Sequence, residues 1–353
     1  MKEIDIRDAV SYFGLPCDPR KRTGTLTCPV CGNKSLRINF QKNIFNCPAC
    51  EEVHGGILDF WALQRGIVES DKKTRYKLAS KDIQKTFGNN TPKRAEKPKE
   101  VQAFIDEERI ASTEDRNKFY SLFLDHLELK GQHKSNLIKR GLSEAEIKKL
   151  NLKSAPRSQM RMVLKRIEEQ TNLSDIPGIY KDEDGFKAVT AEGFLIPQRD
   201  IFGNIQGCQI RMDNVKEGKY RSYSSSSFPN GTKSCSFVHV ASQDYRNLDL
   251  SKIIITEGPL KADIICHYIG GTIIAVPGVN SLSKLPEVLR ELRKRGATNI
   301  HIAYDMDYMT NKFVLRGLDK LKAMISSEGL KYSQIVWDKA FKGYDDYLRA
   351  IAG

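Results

Sequence analysis

The C-terminal part of the chain carries the pattern that most restricts its fold, because short apolar segments alternate there with helical ones. From Lys252 onward, each of four apolar segments precedes a stretch with helical spacing: KIIIT, TIIAV, NIHIAYD and QIVW. Short apolar strands that alternate with helices are typical of a parallel sheet with helical crossovers. We therefore predict an α/β domain over residues 251–353.

Acidic residues follow three of these predicted strands. Glu257 follows the first strand, Asp305 and Asp307 follow the third, and Asp345 follows the fourth. The carboxyl ends of parallel strands form the ligand-binding edge of an open sheet. Clustered carboxylates are unfavourable unless a cation neutralises them, and oxygen ligands suit Mg²⁺. We predict that these four residues bind catalytic Mg²⁺ or Mn²⁺.

Ordinary helix capping is the alternative for two of these carboxylates. Acidic residues are favoured at helix N-termini, and both Glu257 and Asp345 precede predicted helices. The pair formed by Asp305 and Asp307 fits capping less well, because alternate residues at a strand end point to the same side. Gly258 would let a substrate approach the backbone beside Glu257.

Four of the eight cysteines lie close together near the N-terminus and predict a metal site. Cys28, Cys31, Cys47 and Cys50 form two CxxC pairs separated by a segment that alternates like a hairpin. Four thiolates in a tetrahedron suit Zn²⁺ and leave no open position for catalysis. We predict a structural zinc ribbon in a chain from a reducing compartment.

Cations and aromatic residues alternate on the predicted ribbon. Lys34, Arg37, Phe40 and Lys42 suit single-stranded DNA, because cations contact phosphates and rings stack on bases. The alternative is that the aromatic side chains form the small core of the ribbon itself.

The charge balance favours a polyanionic partner. Lysine and arginine number 57 and aspartate and glutamate 44, which gives a formal net charge of +13. A basic excess of this size points first to nucleic acid. The sequence has neither a signal peptide nor the roughly 18 apolar residues of a membrane span, so we expect a cytoplasmic protein.

The chain divides into five predicted segments. They are a zinc-ribbon domain (1–78), a basic mobile linker (79–104), a helical region (105–174), a basic β-rich region (175–250) and the α/β domain (251–353). The helical region contains SEAE at 143–146, a helix-start pattern. The β-rich region contains GFLIPQRDIFGNIQGCQIRMDN, which predicts a hairpin with a Gly-Asn turn.

The order of these motifs resembles that of bacterial and phage-type DNA primases. The strand-Glu-Gly turn and the later DxD resemble the Toprim domain, and the cysteine ribbon resembles the zinc-binding domain of replicative primases. EGFLIPQRDIFGNIQGCQIRM and KYRSYSSSS resemble the basic N-terminal part of the primase core. The resemblance covers residues 24–65 and 190–350. It implies a multidomain α+β protein with a zinc ribbon, a central helical and β-hairpin region, and a Toprim domain.

The resemblance also implies residue roles and a function. It implies DNA primase activity, a nucleotidyl transfer that makes short primers de novo on single-stranded DNA from nucleoside triphosphates. Glu257, Asp305 and Asp307 would be catalytic. The residues that would guide template or nucleotide are Arg199, Arg211, Lys219 and Arg221; the alternative is that they form a solvated face of the hairpin. Lys261, where the chain departs from the family, is predicted to contact a triphosphate as a point charge, and the alternative is an ordinary lysine on a helix surface.

The chain departs from the family pattern after the Glu-Gly turn. Lys261 stands where replicative primases have an aspartate, and Asp263 follows two positions later. No GxxxxGK[ST] motif occurs, so we expect a separate helicase partner and an origin on a phage, plasmid or mobile element. A Toprim nuclease and a non-catalytic DNA-binding replication protein remain as alternatives.

Overall fold

The computed structural model describes residues 3–67, 71–88, 91–92, 110–215, 218–279, 281–305 and 312–352. The chain forms two compact units, Met1–Asp106 and Glu107–Gly353. Their mixed α/β architecture, with a cysteine cluster in the first and a largely parallel sheet in the second, confirms the predicted fold class. None of the described helices has the length and apolarity that a membrane crossing requires.

The described part of the first unit contains a four-stranded antiparallel sheet, a two-stranded parallel sheet and three helices. Its elements are β1 (Glu3–Ile4), α1 (Ile6–Tyr12), β2 (Thr23–Leu26), β3 (Leu36–Asn39), β4 (Ile44–Cys47), β5 (Cys50–Gly55), α2 (Ile57–Arg65), α3 (Lys72–Phe87) and β6 (Thr91–Pro92). Strands β2 to β5 pair in chain order, and β1 pairs with β6. The antiparallel pairing of β3 with β4 confirms the hairpin predicted between the two CxxC pairs.

Helix α3 extends into the segment that the sequence predicted to be a linker. The helix continues to Phe87, because Ala79 and Ile83 lie four residues apart and bury one face of it. Lys81 between them and Gln84 just after them are good helix formers. Residues 93–109 lie outside the described part of the chain.

Four helices and a four-stranded sheet begin the second unit. Its first elements are α4 (Thr113–Asp125), α5 (Gly131–Lys139), α6 (Glu144–Lys149), β7 (Lys153–Ser154), α7 (Arg161–Glu168), β8 (Ile179–Asp182), β9 (Gly185–Ala188), β10 (Gly193–Arg199), β11 (Ile205–Met212) and β12 (Tyr220–Ser222). Strands β10 and β11 form the predicted hairpin in the sheet β12-β11-β10-β7. Ser143 caps α6 by accepting a hydrogen bond from the backbone N–H of Glu146, as its sequence predicts.

A five-stranded sheet with helices forms the rest of the second unit. Its elements are β13 (His239–Ala241), β14 (Ile253–Glu257), α8 (Pro259–Ile269), β15 (Thr272–Val276), α9 (Leu285–Lys294), β16 (Asn299–Ile302), α10 (Lys312–Ser327), β17 (Lys331–Gln334) and α11 (Tyr344–Ala352). The order is β13-β15-β14-β16-β17, and all neighbours are parallel except β13 and β15. The strand predicted at QIVW lies slightly earlier. As an edge strand paired only with β16, β17 needs few apolar residues, so an apolar run does not locate it.

Apolar cores cover both faces of this sheet, and a third core joins it to the helical region. The third core contains Leu137 and Ile147 of the helical region, Phe194 of β10, and Leu260 and Ile264 of α8. Burial of large apolar side chains contributes about 1.5–3 kcal/mol each. Helices α5 and α6 are therefore an integral part of the second unit.

Candidate functional site

The four predicted cysteine ligands of the first unit lie together. The Sγ atoms of Cys28, Cys31, Cys47 and Cys50 all lie within 4.8 Å of one another. The Sγ atoms of Cys31 and Cys47 are 3.8 Å apart. Four Zn–S bonds of about 2.3 Å in a tetrahedron place the sulfur atoms at about this separation. The donor set therefore fits a closed, structural metal site.

Three of the four residues predicted to contact single-stranded DNA are exposed on the ribbon. They are Lys34, Arg37 and Lys42. Phe40 differs, because its side chain is 1% exposed and packs in the core of the first unit. Its ring contacts Arg7, whose guanidinium carbon lies 5.5 Å from the ring centroid. Phe40 is thus a core residue and is not available to stack on a base.

Carboxylates of the second unit lie at one edge of the five-stranded sheet. Glu257 ends β14, and Asp305 follows β16, which pairs in parallel with β14. The Thr256 hydroxyl donates to the carbonyl of Ala303 at 3.0 Å and so fastens the segment that leads to Asp305. Asp345 lies in the first turn of α11. We call Glu257, Asp305 and Asp345 the carboxylate cluster; Asp307 lies outside the described residues.

A lysine lies inside the carboxylate cluster. The ammonium of Lys261 forms an ion pair with Asp305 Oδ1, and the Asp305 side chain is only 10% exposed. Burial lowers the pKa of Lys261, but the charges of Asp305, Asp345 and Glu257 outweigh it, and the net pKa is raised. A second ammonium, that of Lys342, lies 3.9 Å from Asp305 Oδ2. The position that carries an acid in replicative primases thus contributes a cation here.

Asp345 has an acceptor atom that points into the cluster. The residue is 4% exposed, and within the described ranges its Oδ1 atom has no hydrogen-bond partner. Burial is the main cause that raises its pKa, and the charge of Lys261 opposes this. An unpartnered buried carboxylate oxygen is unfavourable unless a cation or donor meets it. This oxygen therefore fits a cation ligand.

The carboxylate cluster is looser than the cysteine site. Among the described residues, the four cysteines are the only group of three or more metal-ligating side chains whose ligand atoms all lie within 4.8 Å. The three carboxylates share one sheet edge, and all three act electrostatically on Lys261.

Five cations of the described residues act on one another electrostatically, three of them also on the carboxylate cluster, and we call them the cation group: Arg140, Arg211, Lys219, Lys261 and Lys342. Burial lowers the pKa of Lys219, and repulsion from Arg140, Arg211, Lys261 and Lys342 lowers it further. Arg140, at the C-terminal end of α5, also acts on the buried Asp345. The sequence predicted Arg211, Lys219 and Lys261, but it gave no role to Arg140 or Lys342. Like charges held together in a fold favour a polyanionic ligand.

The remaining predicted cations lie elsewhere on the β-rich region. The guanidinium of Arg199 donates to the carbonyl of Gly203 at 3.1 Å within its own hairpin turn. Its backbone N–H donates to His239, whose other ring nitrogen bonds the buried Asp263 at 3.0 Å. Asp263 is thus paired with His239 and is buried. Arg221 lies exposed on β12.

Tyr304 is a further residue that the sequence did not indicate. Its hydroxyl is buried, and it has no hydrogen-bond partner in the part of the chain that the structure describes. Burial raises its pKa, and the charge of Glu257 raises it further. The phenol therefore remains protonated and is a donor near Glu257.

The comparisons with known proteins bear on the fold. The zinc-binding and RNA polymerase domains of the Aquifex aeolicus primase align with 99% of this chain and 80% of their own length, at 17% identity and a TM-score of 0.50. The chain has a primase fold. The Mycobacterium tuberculosis primase RNA polymerase domain covers 68% of this chain and 82% of its own, at 14% identity and a TM-score of 0.49. A Pseudomonas aeruginosa primase domain covers 67% of this chain and 74% of its own length, at 17% identity and a TM-score of 0.48.

Sequence comparison adds one match within this primase fold. A family model described as a domain of unknown function (DUF3854) matches residues 245–352. No curated protein matches the chain. The resemblance to primases noted from the motifs is thus confirmed at the level of the fold.

Proposed function

We propose that this protein is a DNA-directed primase that synthesises short primers de novo on single-stranded DNA by metal-dependent nucleotidyl transfer. The observation that supports this most is the cation group around the carboxylate cluster, at the carboxyl edge of a largely parallel sheet. Opposite charges in this arrangement suit a substrate that brings both phosphates and a divalent ion. A primase fold that also contains a four-cysteine site adds to the argument.

The proposed metal ligands are Glu257, Asp305, Asp345 and the undescribed Asp307. The unpartnered Oδ1 of Asp345 supports this set, because it is an acceptor oriented toward the cluster. Bound Mg²⁺ or Mn²⁺ would stabilise the attacking and leaving oxygens of an in-line phosphoryl displacement. Glu257, Asp305 and Asp307 are proposed as the catalytic residues.

The proposed role of the cation group is to hold the triphosphate of the incoming nucleotide. Lys219 and Arg211 both lie over the ring of Tyr220, at 5.7 and 5.5 Å from its centroid. This ring limits the movement of two flexible side chains, so less entropy is lost when phosphate binds. Arg140, Lys261 and Lys342 would supply further positive charge.

We propose that each unit contributes basic residues that contact the template. In the first unit these are Lys34, Arg37 and Lys42 of the ribbon, and in the second unit they are Arg199 and Arg221. A structural Zn²⁺ bound by the four cysteines would stabilise the ribbon. One solved DnaG primase catalytic domain is described as bound to single-stranded DNA, at 17% identity. We further propose a separate helicase partner, a cytoplasmic location and an origin on a mobile element.

Primer synthesis on single-stranded DNA of random sequence tests the proposal. The full-length protein, all ribonucleoside and deoxyribonucleoside triphosphates and Mg²⁺ should give short labelled products. Asp305→Asn should abolish them and leave DNA binding intact, because the ribbon cations remain. Synthesis that survives Asp305→Asn would contradict the assignment.

The ion pair between Lys261 and Asp305 favours one alternative, a non-catalytic DNA-binding replication protein. In that case the lysine neutralises a disused site, and DNA binds but no product forms. A nuclease is separated from both by incubating labelled DNA with Mg²⁺ and no nucleotides, since cleavage would then occur.

A further inference from the structure

The ammonium of Lys261 lies among the carboxylates proposed to bind metal. We propose that it serves as a permanent cation of the carboxylate cluster, so that the cluster binds one divalent ion and not two. The inference rests on the proposed function in one respect, that the cluster binds a divalent ion at all. Sites that catalyse phosphoryl transfer commonly bind two divalent ions. The single ion expected here differs from that arrangement.

The contacts of Lys261 carry the first step. Its ammonium meets Asp305 Oδ1 directly, and its side chain is 24% exposed. Asp305, Asp345 and Glu257 all attract it. An ammonium is a compact point charge with three donors, and one in this position partly satisfies ligands that a divalent ion would need.

The space beside Lys261 carries the second step. A Cβ atom at Gly343 would collide with Asp345 Oδ1 and would lie 3.3 Å from Lys261 Nζ and 3.5 Å from Asp305 Oδ1. Three charged groups of the described residues therefore lie close to this one point. Asp345 Oδ1 still has no hydrogen-bond partner among the described residues, so one acceptor remains for a further cation.

The charge balance carries the third step. The three described carboxylates and Lys261 together have a net charge of two negative units when all are ionised. A second divalent ion would face both Lys261 and Lys342, which lies 3.9 Å from Asp305. Repulsion at such distances weakens binding of the second ion by at least about tenfold.

Counting bound Mn²⁺ tests the inference without an activity readout. Free Mn²⁺ is measured by electron paramagnetic resonance during titration of the full-length, zinc-loaded protein. The number of ions bound by the carboxylate cluster is the number bound by the wild type minus the number bound by the double variant Asp305→Asn with Asp345→Asn. The wild type should bind one such ion. Lys261→Met keeps the side-chain volume but removes the charge, and it should bind two, with the first at least about tenfold tighter.

Two further variants control for charge and folding. Lys261→Arg keeps the cation and should bind one ion. Lys294→Met removes a lysine that is 77% exposed on α9 and should also bind one. Melting curves verify that each variant is folded.

Two ions in the wild type, or an unchanged count and affinity in Lys261→Met, would overturn the inference. If the wild type binds two ions and also synthesises primers, the inference is overturned but the proposed function is supported. One ion in the wild type and two in Lys261→Met, without primer synthesis, would support the inference and contradict the proposed function.

Discussion

The two charged sites of this chain are built in opposite ways. The cysteine site of the first unit uses four identical ligands from one short hairpin, and their sulfur atoms lie within 4.8 Å of one another. The carboxylate cluster of the second unit draws on β14, the segment after β16 and α11, and it contains a lysine. The first site is complete in itself. The second combines ligands and counter-charges from distant parts of the chain, which suits a site that exchanges its contents during a reaction.

The largest expected effect comes from removing the metal of the cysteine site. Structural Zn²⁺ sites contribute an apparent 10–16 kcal/mol in small domains. Chelation or Cys47→Ser should therefore unfold residues 23–55 and leave the second unit folded. Hydrogen exchange with mass spectrometry on the full chain measures both units. Cys17→Ser is the matched control, because Cys17 lies outside the four-cysteine group. Retained protection of the ribbon after chelation would show that the site is not structural.

The next effect distinguishes two adjacent aspartates of α11. Asp345→Asn should lower the rate of primer synthesis by at least about 100-fold, because it removes a charged buried ligand. Asp346→Asn should change the rate less than about twofold, because its side chain is 48% exposed and pairs with Arg349 at 3.6 Å. Equal effects of the two changes on the initial rate would show that Asp345 is not a metal ligand.

A smaller effect is expected at the cation that comes from the helical region. Arg140→Ala should raise the KM for nucleotide by about tenfold, because the change removes one charge-assisted contact to the nucleotide. Lys139→Ala, one residue earlier and exposed, is the control and should leave KM unchanged. A lower kcat with an unchanged KM would instead indicate that Arg140 acts on the chemical step.

The smallest effect concerns pH. Burial and neighbouring cations lower the pKa of Lys219, so it loses its proton at a lower pH than an ordinary lysine. Nucleotide affinity should therefore be full below this pKa and fall a few-fold as pH rises through it. Lys219→Arg keeps its charge and should remove this decline. An identical pH profile of nucleotide binding in both proteins would assign the phosphate contact to other cations.

The contrast between the sites also explains what the sequence predicted. Cys28 and Cys50 bound one short segment, so residue spacing alone predicted that the four cysteines lie together. The strand-helix alternation predicted that Glu257 and Asp305 lie at the ends of two parallel strands, because the topology of parallel sheets is strongly restricted.

Other features depend on packing that spacing does not reveal. Arg140 reaches the cluster only because α5 packs on a core that includes α8, and no local motif marks that contact. The burial of Phe40 depends on the small core of the first unit, which takes the ring away from solvent. The sequence marked Lys261 as a departure from the primase pattern. Only the structure shows that it pairs with Asp305.

The docking of the helical region has a practical consequence for truncation. The guanidinium of Arg349 in α11 donates to the carbonyl of Lys139 at 2.6 Å, and Leu260 and Ile264 of α8 pack against Leu137 and Ile147. A fragment cut at the boundaries of the matched family, residues 245–352, would expose this apolar surface to water and lose three members of the cation group, Arg140, Arg211 and Lys219. Soluble, competent fragments should therefore begin upstream of α4.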